Sequence, residues 1–559
     1  MGGLFAPSVR VVRGWGVSHP PVAFRDMSPA TSAPAATAAS PPRPRQVRPV
    51  PLAAVASAIG LPAPASASGA GVSGVRVSGV TLRASDVRPG DLFAALPGSR
   101  AHGADFAAQA LAAGAAAVLT DAAGATRPGH GRVPVLVHPR PREVLGPVAA
   151  HVYGDPTARL SVLGVTGTSG KTTVAHLVEA GLAAAARPAG VVGTVGTRIT
   201  GHKVPSALTT PEAPDLQALF AVMAEQGVTD VAMEVSSHAL ALDRVSGTRF
   251  TVAAFTNLSR DHLDFHHSMD EYFEVKAALF DGRAEHNVIC VDDEWGRRLA
   301  EGTPNAVTVA TAGEADWRAV GRTADACGGQ SFTAVTPDGA ELKVELRLPG
   351  AFNVANALVA LASLDAVGVP AATAAAGFAD LAVPGRMQRI EEGQPFLAVV
   401  DYAHKPGAVA ALLDALRPQV PGRLIVVLGC GGDRDRGKRP TMGAVAAGRA
   451  EVLIVTDDNP RSEDPAAIRA EMIAGAEAEP GHGEIVEIGD RQAAIAAAVA
   501  RAQPRDVVVV AGKGHETGQE VRGVRHPFDD AVELASALRG SASGGSASGG
   551  SASRGTAPR

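Results

Sequence analysis

Four runs of continuous apolar residues in the last third of the chain limit its fold most: FLAVV at 396–400, LIVVL at 424–428, VLIVT at 452–456 and VVVV at 507–510. Each is short, lacks polar alternation and is rich in β-branched residues, which marks strands buried on both faces. Helical patterns of about 10 to 15 residues separate them. That rhythm predicts a doubly wound parallel sheet, whose ligands sit beyond the carboxyl ends of the strands. Aromatics are only 4% of the 559 residues, so the cores rest on Ala, Val and Leu, as helix-covered parallel strands allow.

The same signals recur upstream. Strands are expected at 161–165, 228–235, 252–257 and 287–291, and the alternating ELKVELRL at 341–348 reads as a half-exposed antiparallel strand added to that sheet. A smaller α/β block precedes them, with a helix near 104–114 and the strand AAAVLTD ending at Asp121. The turn Val383-Pro-Gly385 closes the central block. The expected class is α/β with three domains: a small unit at 48–156, a central P-loop ATPase-like, mostly parallel sheet at 157–384, and a Rossmann-like doubly wound sheet at 385–540. Residues 1–47 are rich in Ala and Pro and 541–559 repeat Gly and Ser, so both ends are expected to be disordered, with Met27 an alternative start.

A net charge of -5 gives no reason to expect nucleic acid or an anionic membrane. Cys290, Cys327 and Cys430 are far apart, with no CxxC pair, so a reducing compartment fits better than a disulfide framework or a zinc site. No apolar run approaches the roughly 18 residues of a membrane span, and the N-terminus lacks the apolar stretch of a secretory signal. A soluble, cytoplasmic protein is expected. Of the 51 Lys and Arg residues only seven are lysine, at 171, 203, 276, 343, 405, 438 and 513. Where charge alone was needed the chain uses arginine, so each lysine is a candidate for chemistry that arginine cannot do.

One lysine lies in a phosphate-binding pattern. Gly167-Thr168-Ser169-Gly170-Lys171-Thr172-Thr173 follows the 161–165 strand and precedes a helical run. Glycines let backbone N–H groups turn around phosphate, the helix N-terminus adds its dipole, Lys171 reaches the terminal phosphates and Thr172 can ligate magnesium. Val165 stands where the strict Walker spacing needs glycine, which disfavours an ordinary P-loop kinase or GTPase.

VTGTSGKTT continues into TTPEAPDL at 209–216, MEVSSHAL at 233–240, TNLSRDHLDFH at 256–266 and YFEVKAALF at 272–280. This series resembles the Mur ligase family, ATP-dependent ligases that build the peptidoglycan stem peptide, and the match runs through roughly 75–530. The resemblance implies that ATP phosphorylates a carboxylate and that an amine attacks the acyl phosphate, with positive charge and positioning carrying the transfer. It implies two magnesium ions, one held by Thr172 and Glu234 and the other by His262, and a carbamate formed from carbon dioxide on Lys276, so that Lys171, Glu234, His262 and Lys276 are the catalytic set. His266 and His267 gain no such support. For ATP it adds Asn353 and Asn356, three apart on one helix face, and Arg386, Asp401 and His404 approaching from the third domain on closure. Lys405 falls where many relatives carry threonine and receives no role.

The acceptor residues implied are Leu82, Ala84, Ser85, Ser99, Arg100, Ala101, Thr209, Thr210, Ser236 and Arg244. Here Ala84 takes the serine position of the common TLDSR pattern, and Leu242 replaces a glutamine often seen before the arginine. The first block resembles the branch that adds the third residue of the stem peptide. Asp458, Asn459, Pro460 and Arg461 resemble its diaminopimelate-adding members. Arg461 suits a carboxylate that lysine lacks and would repel lysine's ammonium; Arg434 would take another carboxylate, and Gly512 and Glu516 the distal ammonium. The reaction implied joins meso-diaminopimelate to UDP-N-acetylmuramoyl-L-alanyl-D-glutamate, in a monomer whose partners are small molecules only. Three alternatives stay open. A lysine-adding ligase would differ at Arg461. A folylpolyglutamate synthase-like ligase would not need the N-terminal block, KRPTMG or DNPR. A non-catalytic nucleotide-binding protein would be expected to break Glu234, His262 or Lys276.

Overall fold

The computed structural model describes residues 42–62, 74–98, 100–131, 133–206, 208–263, 265–325, 328–419 and 421–544. Among them lie three α/β units, each built on its own sheet.

The first sheet has four parallel strands in the order Gly79–Thr81, Asp91–Ala95, Ala117–Thr120 and Val135–Val137. Its helix Pro141–Val152 packs so closely on the central unit that a Cβ added at Gly146 would lie 1.9 Å from Ser246 O. The core is shared as well, since Ala218 and Ala221 of the helix Ala213–Glu225 join the cluster around Leu92, Leu119 and Val148.

In the central sheet eleven described strands lie side by side, and Ser161–Thr166 runs between Asp230–Glu234 and Phe250–Phe255. Pairing is parallel from Ala189–Gly193 across to Trp317–Ala324 and antiparallel at both ends, where Glu341–Leu346 forms one edge. The chain leaves Ser161–Thr166 toward one side and returns to build the other, so this strand marks the switch in direction where such sheets bind ligands. One face is covered by Lys171–Ala184, Phe352–Ala366 and Ala371–Phe378, and the other by Ala213–Glu225 and Met269–Ala277.

The third sheet orders Gln388–Arg389, Leu397–Asp401, Val507–Ala511, Leu424–Leu428, Val452–Val455 and Glu484–Glu487. All are parallel except Gln388–Arg389, an antiparallel edge that the expectation of a purely parallel sheet left out.

Two expectations about the ends are corrected. Residues 42–47 are not a free tail, because the Arg43 guanidinium meets the buried Asp91 carboxylate at 2.7 Å and the Gln46 N–H donates to Glu225 Oε1 at 2.9 Å. At the other end the helix Asp530–Gly544 runs past Ser541, where the Gly/Ser repeat was expected to start. Residues 1–41 with Met27, and 545–559, lie outside the described residues, as does Cys327. No helix of the described residues is long and apolar enough to cross a membrane.

Candidate active site

The strand Ser161–Thr166 ends at Gly167, whose φ of 144° favours glycine; a Cβ there would meet Thr256 Oγ1 at 1.9 Å. The loop is strapped to the end of the neighbouring strand. Thr168 N donates to Asn257 O at 2.9 Å, Ser169 N to Asn257 Oδ1 at 3.0 Å, and Thr256 Oγ1 to Ser169 O at 2.6 Å. Lys171 Nζ donates to Gly167 O and Thr168 O, each at 2.8 Å. Thr172 and Thr173 are buried in the first turn of Lys171–Ala184, whose N-terminus faces the loop. Sequence reasoning gives Thr256 and Asn257 no role, since a strap between strand ends leaves no local signal.

Lys276 comes from the helix Met269–Ala277, capped by Ser268 Oγ, which accepts from Glu271 N at 3.1 Å. Its Nζ donates to the same Gly167 O at 2.8 Å and lies 4.7 Å from the centre of the Tyr272 ring, with the residue only 1% exposed. Burial first, and then the nearby Lys171 ammonium, hold its pKa well below that of an ordinary lysine. Two amines sharing one carbonyl cannot both keep a charge cheaply.

Glu234 ends the strand Asp230–Glu234 and is 1% exposed; its oxygens accept from Thr194 N at 2.7 Å and Thr194 Oγ1 at 3.0 Å. His262 sits at φ 52°, with its N–H donating to Asp261 Oδ1 at 2.7 Å and its ring edge-on to His238 at 5.0 Å. Burial lowers its pKa to about 4, leaving a neutral imidazole with a lone pair. His266 is buried, its ring 4.9 Å from that of Tyr272, and the backbone of His267 donates to Glu271 at 2.8 Å. No group of three or more His, Cys, Asp or Glu that could hold a metal ion is found among the described residues. The donor types suit magnesium: the Thr172 hydroxyl with the Glu234 carboxylate, and separately the neutral His262, offer few ligands, and magnesium takes the rest from phosphates and water.

From the facing elements, Asn353 Nδ2 donates to Pro349 O at 2.7 Å and Asn356 Nδ2 to Asn353 Oδ1 at 2.9 Å. A Cβ on Gly170 would lie 2.3 Å from Asn356 Oδ1, so this pair backs the phosphate loop. Arg386 stacks over the Tyr402 ring at 4.7 Å, and Asp401 accepts from Met387 N at 2.7 Å and Ala403 N at 2.8 Å. His404 Nδ1 lies 2.8 Å from Tyr402 O, and burial lowers its pKa to about 4.

Thr209, Thr210 and Ser236 gather around Glu234. Thr209 Oγ1 is 3.1 Å from Thr194 Oγ1, Thr210 Oγ1 donates to Glu234 O at 2.8 Å, and Ser236 Oγ caps the next helix by accepting from Ala239 N at 3.2 Å. Arg244 pairs with Glu212 at 2.9 Å and reaches Thr210 O at 3.4 Å. In the first unit Leu82 is half-buried, Ala84 is buried and Ser85, Arg100 and Ala101 are exposed; Ser99 lies outside the described residues. Arg83, which the sequence reading passes over, bridges Asp86 and Asp215 and so ties this turn to the central unit.

The three loops of the third unit open together at the carboxyl ends of their strands. Asn459 Nδ2 donates to Glu516 Oε2 at 2.9 Å, and Lys513 Nζ donates to Asn459 Oδ1 at 3.1 Å and Glu516 Oε2 at 3.0 Å. Asp458 and Pro460 are buried beside them, and burial raises the Asp458 pKa. Gly512, at φ 114°, passes Asp458 so closely that a Cβ would lie 2.9 Å from Oδ2. Arg461, at φ 53°, donates Nη1 to Gly432 O at 2.6 Å, with its Nε 3.5 Å from Glu520 Oε2. Arg434 is exposed on the neighbouring loop. Arg439, fully buried, pairs with Glu463 at 2.8 Å and Glu471 at 3.0 Å and so fixes these loops from behind. Neither Arg439 nor Lys513 receives a role from sequence reasoning.

Three family descriptions match the chain: "Mur ligase family, catalytic domain" over residues 76–153, "Mur ligase middle domain" over 165–364, and "Mur ligase, glutamate ligase domain" over 385–514. The chain is 58% identical over 464 residues to the UDP-N-acetylmuramoyl-L-alanyl-D-glutamate--2,6-diaminopimelate ligase of Corynebacterium efficiens, covering 81% of this chain and 88% of that one. To the Streptomyces coelicolor protein of the same description it is 51% identical over 510 residues, covering 89% and 98%. A solved structure described as a UDP-N-acetylmuramoyl-L-alanyl-D-glutamate--2,6-diaminopimelate ligase superposes with a TM-score of 0.63 at 36% identity, covering 85% of this chain and 97% of that one. The folylpolyglutamate synthase of Mycobacterium tuberculosis superposes at 0.52 with 20% identity over 65% of this chain and 91% of that one, a likeness of fold alone.

Proposed function

The chain belongs to the Mur ligase family, and from that premise we infer that it is an ATP-dependent ligase adding meso-diaminopimelate to UDP-N-acetylmuramoyl-L-alanyl-D-glutamate in peptidoglycan precursor synthesis. Its substrates are small molecules, and we assign its work to the cytoplasm, where ATP and nucleotide-linked precursors are supplied.

The reaction transfers the γ-phosphoryl group of ATP to the γ-carboxylate of D-glutamate; the amine of diaminopimelate then attacks the acyl carbon, phosphate leaves, and the amine loses a proton. Lys171 and the N-terminus of its helix present donors to the phosphates. Thr172 and Glu234 would hold one magnesium ion, and His262 with a modified Lys276 the second. Magnesium, when bound, offsets the negative charge that builds on the transferring phosphoryl group. Thr209, Thr210, Ser236 and Arg244 surround Glu234 on the acceptor side, with Leu82, Ala84, Ser85, Ser99, Arg100 and Ala101 assigned to the uridine end. Asn353, Asn356, Arg386, Asp401 and His404 line the nucleotide from the facing elements, where they exclude water from the acyl phosphate.

The observation that carries the reading is Lys276 Nζ, buried against the carbonyl of the phosphate loop, where burial holds its pKa well below that of an ordinary lysine. A neutral amine adds carbon dioxide and sheds a proton to become an anionic carbamate, which arginine cannot do. Lys276→Ala should lose activity that a short carboxylate partly restores, and carbon-13 bicarbonate should give the wild-type protein a carbamate resonance that the variant lacks. An unimpaired variant overturns this role.

For the amino acid, Glu516 and Gly512 would receive the distal ammonium, and Arg461 and Arg434 carboxylates, with Asp458, Asn459 and Pro460 shaping the loop. Incubation with ATP, magnesium, the dipeptide nucleotide and either meso-diaminopimelate or lysine tests this directly. Product with lysine alone would refute the specificity.

A further inference from the structure

Lys405, like Lys203 and Lys343, has no use in the sequence reading or the proposed chemistry. It precedes the helix Pro406–Leu416 in the third unit, and its ammonium forms an ion pair with the carboxylate of Asp261 in the central unit, 144 residues away in sequence. Asp261 is not a free surface carboxylate. Its side chain is 20% exposed, Oδ1 also accepts from His262 N at 2.7 Å, and Oδ2 lies 3.5 Å from His262 Nε2. The ammonium therefore ends on the carboxylate that braces the left-handed turn at His262.

Asp261 also acts on the phosphate loop, since its negative charge is felt at both Lys171 and Lys276. With no counter-charge, that carboxylate would oppose an incoming polyphosphate. Lys405 supplies the counter-charge, and does so from the unit that carries the amino-acid loops.

We propose that Lys405 is an interdomain latch: its pairing with Asp261 holds the amino-acid-binding unit over the phosphate loop and masks the carboxylate that braces His262. Lys405 is thus a positioning residue, acting on the reaction through Asp261. The kinetic part rests on the ligase reading; the conformational part does not.

The test uses the full chain in a Cys327→Ser background with spin labels on cysteines placed at exposed Arg322 and His482, one in each unit, Cys290 and Cys430 being buried. Interdomain distances are measured by electron resonance with and without a non-hydrolysable ATP analogue, alongside kcat and KM for each substrate. Lys405→Ala should lower the ratio of closed to open forms, and kcat/KM, about 3- to 10-fold, as expected for a half-exposed ion pair with one well-held partner. Lys405→Arg should stay within about twofold of the parent, because the charge and a donor remain. In an Asp261→Asn background, Lys405→Ala should cost little more. An unchanged distance distribution in Lys405→Ala, or an equal loss in the Asp261→Asn background, overturns the proposal. A chain with no ligase activity would refute the reaction, and the distance measurement would still decide the latch.

Discussion

Asp530→Asn is a severe test of how the amino-acid loops are held. Arg491 and Asp530 form a pair whose side chains are both 0% exposed, with Nε–Oδ1 at 2.7 Å and Nη2–Oδ2 at 2.8 Å. The guanidinium also donates to Ala511 O at 2.9 Å and Asp457 O at 3.5 Å, the residues just before Gly512 and Asp458. Asparagine keeps the volume and leaves an uncompensated cation in the core. Removing one partner of such a pair costs about 3–5 kcal/mol, a large share of the roughly 5–15 kcal/mol that holds a domain together. Removing both charges with Arg491→Met/Asp530→Leu should cost less, about 1–3 kcal/mol, chiefly for the Ala511 carbonyl left without this donor. The double variant is therefore predicted to be more stable than the single one. Tryptophan fluorescence would miss the effect, because Trp15, Trp295 and Trp317 all lie outside the third unit. Hydrogen exchange on peptides covering Val507–Ala511 and Val452–Val455 reads it locally. KM for diaminopimelate should rise in Asp530→Asn with KM for ATP little changed. A single-variant cost below about 1 kcal/mol, or a double variant worse than the single, would refute the reasoning.

Gly167→Ala places a Cβ 1.9 Å from Thr256 Oγ1 at a φ of 144°, so nucleotide affinity measured by calorimetry should fall at least about tenfold; near-normal binding would mean the loop is not held as described. His404 is neutral in both folded and unfolded chains above about pH 6.5. With a folded pKa of about 4, the unfolded chain takes up its proton first on acidification. Stability is then lost as pH drops from about 6.5 toward about 4, by up to about 1.4 kcal/mol per pH unit, and His404→Gln should flatten that acid limb in urea titrations. Deletion through 47 should melt lower than deletion through 41, because it removes Arg43 from buried Asp91 at a cost of about 3 kcal/mol. Equal melting of the two truncations would refute that anchor.

The third sheet was legible because VVVV and LIVVL are too short to span a membrane and read as strands buried on both faces, and the loops after them had to open on one side. The phosphate loop was legible because strand, glycines, lysine and helix are contiguous. What escaped depends on contacts between distant segments. Thr256 and Asn257 strap the phosphate loop from 88 residues away, Arg439 braces Glu463 and Glu471 from inside the core, and Arg83 ties the first unit to Asp215. An arginine that ends buried on two glutamates reads in sequence like any surface charge. The tail boundaries escaped because composition reports average tendency, whereas Arg43 is ordered by one ion pair.

The scarcity of lysine can now be argued atom by atom. At Lys171 the ammonium donates to two loop carbonyls, and at Lys513 it sits between Asn459 Oδ1 and Glu516 Oε2 with 0% of the residue exposed. Lys438 Nζ donates to His404 O at 2.9 Å, tying the helix after the Gly429 loop to the strand end that carries Asp401. Lys171 and Lys513 are each a compact donor aimed from one point at acceptors in different directions, which a tetrahedral ammonium meets and a planar guanidinium fork does not. Lys276 needs an amine that can lose its proton. Arg491 and Arg439, by contrast, each bind carboxylates through two nitrogens. At these sites arginine serves where a fork fits a carboxylate and lysine where a single apex is required, whereas Lys203 and Lys343 are exposed. Lys513→Arg should therefore be no conservative change: the bulkier fork cannot occupy a site with no exposure, so it should disrupt the Asn459–Glu516 contact and raise KM for diaminopimelate at least about tenfold, and an unaltered KM would refute the distinction.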